Sequence, residues 1–135
     1  MTENEQQVSE FKSKGGVKRI FAAFFYSIDG LKEACRNEHA FRQELLLVVP
    51  AIIVALLLPV APLQKLALIG VLLLVLIVEL INSAIEAVVD RISFERHPLS
   101  KNAKDFGSAA VLLAFILASV TWAVIVGPLV ISSLA

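Results

Sequence analysis

Between Leu66 and Val89 the chain is apolar over the length needed to cross a bilayer, yet it holds Glu79, Asn82, Ser83 and Glu86, with Asp90 just beyond. Lipid has no water to satisfy backbone polar groups, so such a run must be helical. At about 100° per residue these five polar side chains, at offsets 0, 3, 4, 7 and 11, share one face. Ile81, Ile85 and Val88 lie opposite. A carboxylate in the middle of a membrane helix costs at least ~2.5 kcal/mol, and such residues line a polar interior rather than lipid. Glu79 and Glu86 are separated by roughly 10 Å along the axis, and Glu86 and Asp90 by roughly 6 Å. This ladder of anions climbs toward Arg91, Arg96, His97, Lys101 and Lys104. Carboxylates facing cations at a membrane surface suit a metal-bound polyphosphate.

The rest of the composition agrees. Of 135 residues, 58% are hydrophobic, with uncharged runs too long for a soluble core. The formal net charge is +0, which gives no reason to expect a nucleic-acid partner. Cys35 is the single cysteine, which excludes an intrachain disulfide and reads as a small apolar helix residue. The start, MTENEQQVSEFKSK, lacks the apolar stretch of a signal peptide, so the spans are expected to be retained.

The expected fold class is an all-α membrane protein, with an N-terminal interfacial amphipathic helix and three transmembrane helices. Residues 1–16 form a polar tail, and Gly15-Gly16 lacks the spacing of a phosphate-binding glycine loop. Residues 17–135 read as a single membrane domain. Within 17–37, Val17, Ile20, Phe21, Phe24, Ile28, Leu31 and Cys35 form an apolar stripe opposite Lys18, Arg19, Asp29, Glu33 and Arg36, which predicts a helix lying in the interface. The polar patch Asn37 to Glu44 follows. Acidic side chains snorkel poorly, so Glu38 or Glu44 should face a polar cavity. The spans are expected at 45–60, kinked at Pro50; at 66–89; and at 106–131, with Trp122 near the far interface and Gly127-Pro128 fraying the end. Ser108, Ala109 and Ala110 are small enough for close helix contact.

Phosphoryl transfer needs a divalent metal on the phosphates, a cation near the transferred group and a base near the attacking hydroxyl. Magnesium takes one or two carboxylates plus phosphate oxygens. Glu38, Glu86 and Asp90 are candidate ligands, Lys104 a candidate cation with Asp105 beside it, and Glu79 a candidate base. Interhelical hydrogen bonding accounts for Asn82 and Ser83 but not for Glu79 with Glu86. A small ion-coupled transporter using Glu79 is a competing class, but it needs a polar path across the whole bilayer. Leu66 to Val78 is wholly apolar, so the path stops halfway.

Three blocks resemble a known family. Glu79-Leu80-Ile81-Asn82-Ser83-Ala84-Ile85-Glu86-Ala87-Val88-Val89-Asp90-Arg91 is similar to the signature of the small prokaryotic diacylglycerol kinases. Asn37-Glu38-His39-Ala40-Phe41-Arg42-Gln43-Glu44 and Ala103-Lys104-Asp105-Phe106-Gly107-Ser108-Ala109-Ala110 resemble that family's other two blocks, in order. The resemblance implies a homotrimer in the bacterial inner membrane with active sites shared between protomers, MgATP as donor and diacylglycerol as acceptor. It implies Glu79 as general base, Asn82 supporting the transferring phosphate, Glu38 and Glu86 as Mg2+ ligands, Lys104 on the ATP phosphates and Asp105 as an essential neighbour. It places Arg19, Tyr26, Ser27, Asp90 and His97 around the nucleotide, and Arg42, Gln43 and Ser108 with Glu79 near the lipid. The chain departs at Ile28, where members often carry Trp, and at Asp29, where a basic residue is common. Related enzymes phosphorylate undecaprenol; the Ala-Phe-Arg-Gln-Glu and Asn-Ser-Ala-Ile-Glu-Ala runs resemble the diacylglycerol branch more.

Lys and Arg crowd the N-terminal region and the 91–104 segment, whereas the turn between the first two spans has only Lys65 and the C-terminus none. The positive-inside rule then puts the N-terminus and 91–104 in the cytoplasm and Ala135 in the periplasm or outside. Single cysteines labelled in a Cys35→Ser background check this. Ala135→Cys is expected to react only with external reagent, and a cytoplasmic label there rejects three spans.

Overall fold

The computed structural model describes residues 16–92 and 97–134, and these are helical with no strand among them. The element order is α1 (Gly16–Asn37), α2 (His39–Leu57), α3 (Pro62–Ile92) and α4 (Pro98–Leu134). The chain divides into two compact units at Asn37/Glu38. The first is represented by α1, whose apolar residues Val17, Ile20, Phe21, Phe24 and Leu31 are all exposed, as an interfacial helix requires. Residues 1–15, expected as a polar tail, lie outside the described residues, as do Ser93 to Arg96.

The second unit is the helical hairpin series α2–α3–α4. All three helices are long and apolar enough to cross a membrane. Their boundaries differ from the expected spans for local reasons. Helix α2 starts at His39 rather than at 45, capped by the extended backbone of Glu38, so the polar patch is the helix's first turn and not a lead-in. It stops at Leu57 because Pro59 disfavours helical backbone at Leu58, which is extended (φ −61°, ψ 140°). Pro50 sits inside α2 without ending it. Pro62 opens α3, where its missing N–H costs nothing. Gln64 Oε1 accepts the Ala61 N–H at 3.0 Å, and Lys65 Nζ reaches the Leu56 carbonyl at 2.5 Å, so the turn is closed from both sides.

The basic segment 91–104 is mostly helix rather than loop. Helix α3 continues to Ile92, and α4 begins at Pro98 with His97 as its cap. Leu99 N–H donates to His97 Nδ1 at 3.2 Å, and Lys101 N–H to the His97 carbonyl at 3.0 Å. At the far end α4 runs through Gly127-Pro128 to Leu134 instead of fraying. Pro128 forfeits a single backbone bond, while Ser132 and Ser133 hydroxyls donate to the carbonyls of Leu129 and Val130.

Helix α3 is the middle member, packed against both α2 and α4. Each helix buries one stripe: Phe41, Glu44, Val48 and Ala55 on α2; Leu68, Val75, Glu79 and Asn82 on α3; Gly107, Ala114 and Ala118 on α4. Spacings of three, four and seven residues put each set on one face. The α4 stripe is small, so α3 and α4 approach closely, and Val75 with flanking Val71 and Val78 fills the seam against Ala114 and Ala118. Trp122 Nε1 donates to the Leu68 carbonyl at 3.3 Å, tying α3 and α4 together at the end remote from Glu79. Leu46, Leu57, Leu66, Leu112 and Leu113 face outward, as lipid-facing side chains do.

A larger side chain in that seam has no room. Ala118→Leu is expected to destabilise the three-helix unit by ~1–3 kcal/mol through overpacking. Unfolding in mixed micelles reads this, and Val124→Leu on the exposed face of α4 is expected to leave the transition unchanged.

Candidate active site

The buried stripe of α3 changes character along its length. Leu68 and Val75 are apolar, while Glu79 and Asn82, one and two turns further on, are equally hidden at 4% and 8% exposure. Of the polar residues predicted to share a helical side, Glu79 and Asn82 are buried, Ser83 and Glu86 half-buried, and Asp90 exposed at the end. Asn82 Nδ2 donates to Glu86 Oε1 at 3.3 Å, and Glu86 is half-buried. Glu79 lies within electrostatic range of both Glu86 and Glu38, so three of the predicted carboxylates converge.

Glu38 is the N-cap of α2 but makes no side-chain capping bond; only its carbonyl is engaged, by Arg42 N–H at 3.3 Å. Its carboxylate is therefore not consumed by the helix end. Next on α2, Arg42 is half-buried and Gln43 exposed. Glu44, one turn into the helix, was not among the site residues expected from sequence. It is 5% exposed, its Oε2 has no hydrogen-bond partner among the described residues, and it lies within electrostatic range of Glu79. The available signal was the poor snorkelling of acidic residues, which pointed to Glu38 or Glu44 without separating them. The helix phase separates them, because Glu44 falls on the stripe of Phe41, Val48 and Ala55, four residues before Val48, whereas Glu38 precedes the helix as its N-cap.

The cationic edge comes from α4. Lys104 Nζ pairs with Asp90 Oδ1 at 2.5 Å, bridging α3 and α4, and Lys104 also lies within electrostatic range of Glu86. Asp105 faces along its own helix and pairs with Lys101. Ser108 is exposed, and His97 is occupied in capping α4. Arg19, Tyr26 and Ser27 belong to α1, in the other unit, and the Ser27 hydroxyl donates to the Ala23 carbonyl at 2.9 Å.

Among the described residues no three His, Cys, Asp or Glu side chains gather as a metal cage. Magnesium seldom needs one, since phosphate oxygens complete its shell. Glu38 and Glu86 are hard oxygen donors within electrostatic range of Glu79, a donor set that fits a metal delivered with a nucleotide. Glu79 has acidic neighbours in Glu38 and Glu86, and Lys104 is a cation within range of Glu86.

Fold and site together define a small polytopic helical membrane protein with an acidic interior edged by lysine. The family model for prokaryotic diacylglycerol kinase matches residues 25–126. Diacylglycerol kinase of Pseudomonas aeruginosa is 57% identical over 117 residues, covering 87% of this chain and 95% of that protein. The Escherichia coli K12 diacylglycerol kinase is 52% identical over 110 residues, covering 82% and 90%. That of Haemophilus influenzae is 42% identical over 107 residues, covering 79% and 91%. The chain belongs to the prokaryotic diacylglycerol kinase family.

The burial of Glu44 has a testable consequence. A buried carboxyl group with an oxygen unpartnered among the described residues and an acidic neighbour opposes folding. Glu44→Gln keeps the shape and removes the ionisable group, so resistance to thermal unfolding is expected to hold or rise. A marked loss would mean that a cation pairs with Glu44.

Proposed function

We propose that the chain catalyses ATP-dependent phosphorylation of diacylglycerol to phosphatidic acid at the cytoplasmic face of the membrane. The carrying observation is Glu79, buried among Asn82, Glu86 and Glu44 at the point where the lining of a membrane helix turns polar. A lipid hydroxyl arriving laterally at this depth meets Glu79, while nucleotide phosphates approach from the Lys104 side. Glu79 accepts the hydroxyl proton as the oxygen attacks the γ-phosphorus and the bond to the ADP oxygen breaks. Lys104 exchanges Asp90 for a phosphate oxygen. Asn82 orients Glu86 and stands beside the transferring group.

Glu38 and Glu86 would hold Mg2+, which when bound neutralises the β- and γ-phosphates. Arg19, Tyr26, Ser27, Asp90 and His97 are assigned to the nucleotide, Arg42, Gln43 and Ser108 to the lipid, and Asp105 to the support of Lys104. The assembly is a homotrimer in the bacterial inner membrane, with the N-terminus and the α3–α4 connection cytoplasmic. These assignments draw their support from the family relationship and the charge distribution.

Purified protein given labelled ATP, magnesium and either diacylglycerol or undecaprenol tests the reaction. Labelled phosphatidic acid is the expected product, and label only in undecaprenyl phosphate would overturn the lipid assignment. Glu79→Gln is expected to fold and bind nucleotide while kcat drops ~10²–10⁴-fold, the usual cost of losing a general base. Near-normal kcat in that variant removes Glu79 from the role.

A further inference from the structure

Gly107 is buried on the face of α4 that meets α3. A Cβ built there would overlap the Oδ1 of Asn82 and stand 3.2 Å from its Cγ. At Gly16, Gly30, Gly70 and Gly127 a Cβ would meet nothing within 4 Å. No described glycine has positive φ, so backbone conformation does not call for glycine at 107; the Asn82 side chain does. In place of a methyl group, Gly107 offers an α-hydrogen directed at the amide oxygen, a weak contact for an oxygen with no conventional partner among the described residues. With Oδ1 seated in this notch, Nδ2 is turned toward Glu86 Oε1 at 3.3 Å. Three residues before Gly107, Lys104 makes the second α3–α4 link, to Asp90.

We propose that Gly107 is a positioning residue: its missing side chain admits the Asn82 amide, and through it holds the Glu86 carboxylate in place for nucleotide phosphates and their metal. This rests on the phosphoryl-transfer site described above and adds a residue to it that touches neither substrate nor metal. A plain packing notch is the competing account, and it makes different predictions. The atoms nearest a Cβ at 107 belong to Asn82, so both accounts let Asn82→Ala relieve the loss of stability; packing alone leaves the Mn2+ affinity of the folded protein unchanged, whereas positioning lowers it.

The test is a double-mutant cycle of Gly107→Ala and Asn82→Ala, with Glu86→Gln as reference, in purified protein in mixed micelles. Mn2+ binding with a non-hydrolysable ATP analogue, followed by electron paramagnetic resonance, is read beside kcat and thermal unfolding. Gly107→Ala is expected to weaken Mn2+ binding about 10-fold, the scale seen when a residue orienting a metal ligand is lost. In the Asn82→Ala background it is expected to add less than about 2-fold, within the scatter of independent sites. Unchanged Mn2+ affinity in Gly107→Ala overturns the proposal, and so do equal fractional losses in both backgrounds. If Gly107→Ala alone does not fold, the double variant decides. About 10-fold weaker Mn2+ binding than the parent, in Asn82→Ala and in the folded double variant alike, supports positioning; parent-like binding in either, or failure of the pair to fold, overturns it. Glu86→Gln separates the two levels. If it binds Mn2+ like the parent, the site assignment fails and this inference with it; if it weakens binding and Gly107→Ala does not, only this inference fails.

Discussion

Everything in the three-helix unit follows from the cost of hiding carboxylates in an apolar medium. Glu79 and Glu44 lose their water when α2, α3 and α4 pack, and nothing in lipid replaces it. A chain that tolerates this must recover the free energy elsewhere, and the recovery is visible in the apolar half of the seam. There Val71, Val75 and Val78 meet Ala114 and Ala118, and Trp122 grips the Leu68 carbonyl. Small residues on α4 let the backbones approach, and the many dispersion contacts of a close seam drive helix association where lipid tails compete for apolar side chains. One end of the seam holds the helices together so that the other can be polar.

That division along the seam explains the one-sided chemistry. The apolar end seals the bilayer, so the acidic interior opens toward the α3–α4 connection and not across the membrane. At the opening, Lys104 and Asp90 are only partly covered, and their pairing is the kind that solvent and incoming phosphate readily exchange. Deeper in, Asn82 and Glu86 are held by helix geometry, being four residues apart on α3, and by the notch at Gly107. The pair held by helix geometry lies deeper than the part-exposed one, which would suit the proposed site, where a charged nucleotide binds and leaves.

The helical state of residues 98–104 bears on the same point. A loop would have left Lys101, Lys104 and Asp105 with many orientations. As the first turns of α4, capped by His97 and opened by Pro98, they have fixed phases. Lys104 turns toward α3, whereas Lys101 and Asp105 pair along the outside, four residues apart. Adjacent residues 104 and 105 thus point about 100° apart and meet different neighbours.

The helical class, the three spans and the shared face of Glu79, Asn82 and Glu86 were legible in the amino-acid sequence, because each depends on local periodicity and on the penalty for bare backbone in lipid. So was the resemblance in three blocks, which needs no coordinates. Helix ends were less legible: Pro98 and His97 form a start signal whose strength depends on hydrogen bonds to specific atoms, and Gly127-Pro128 looked like a stop but is spanned by α4. What only the tertiary structure decided is which polar residues meet across helices. Glu44 rather than Gln43 turns inward, Lys104 takes Asp90 while Asp105 takes Lys101, and Gly107 makes room for Asn82. Periodicity sets a residue's angle about its own helix axis. The partner it meets depends on the rotation and sliding of one helix against another, and those are set by side-chain volume at seams that no single stretch of sequence contains.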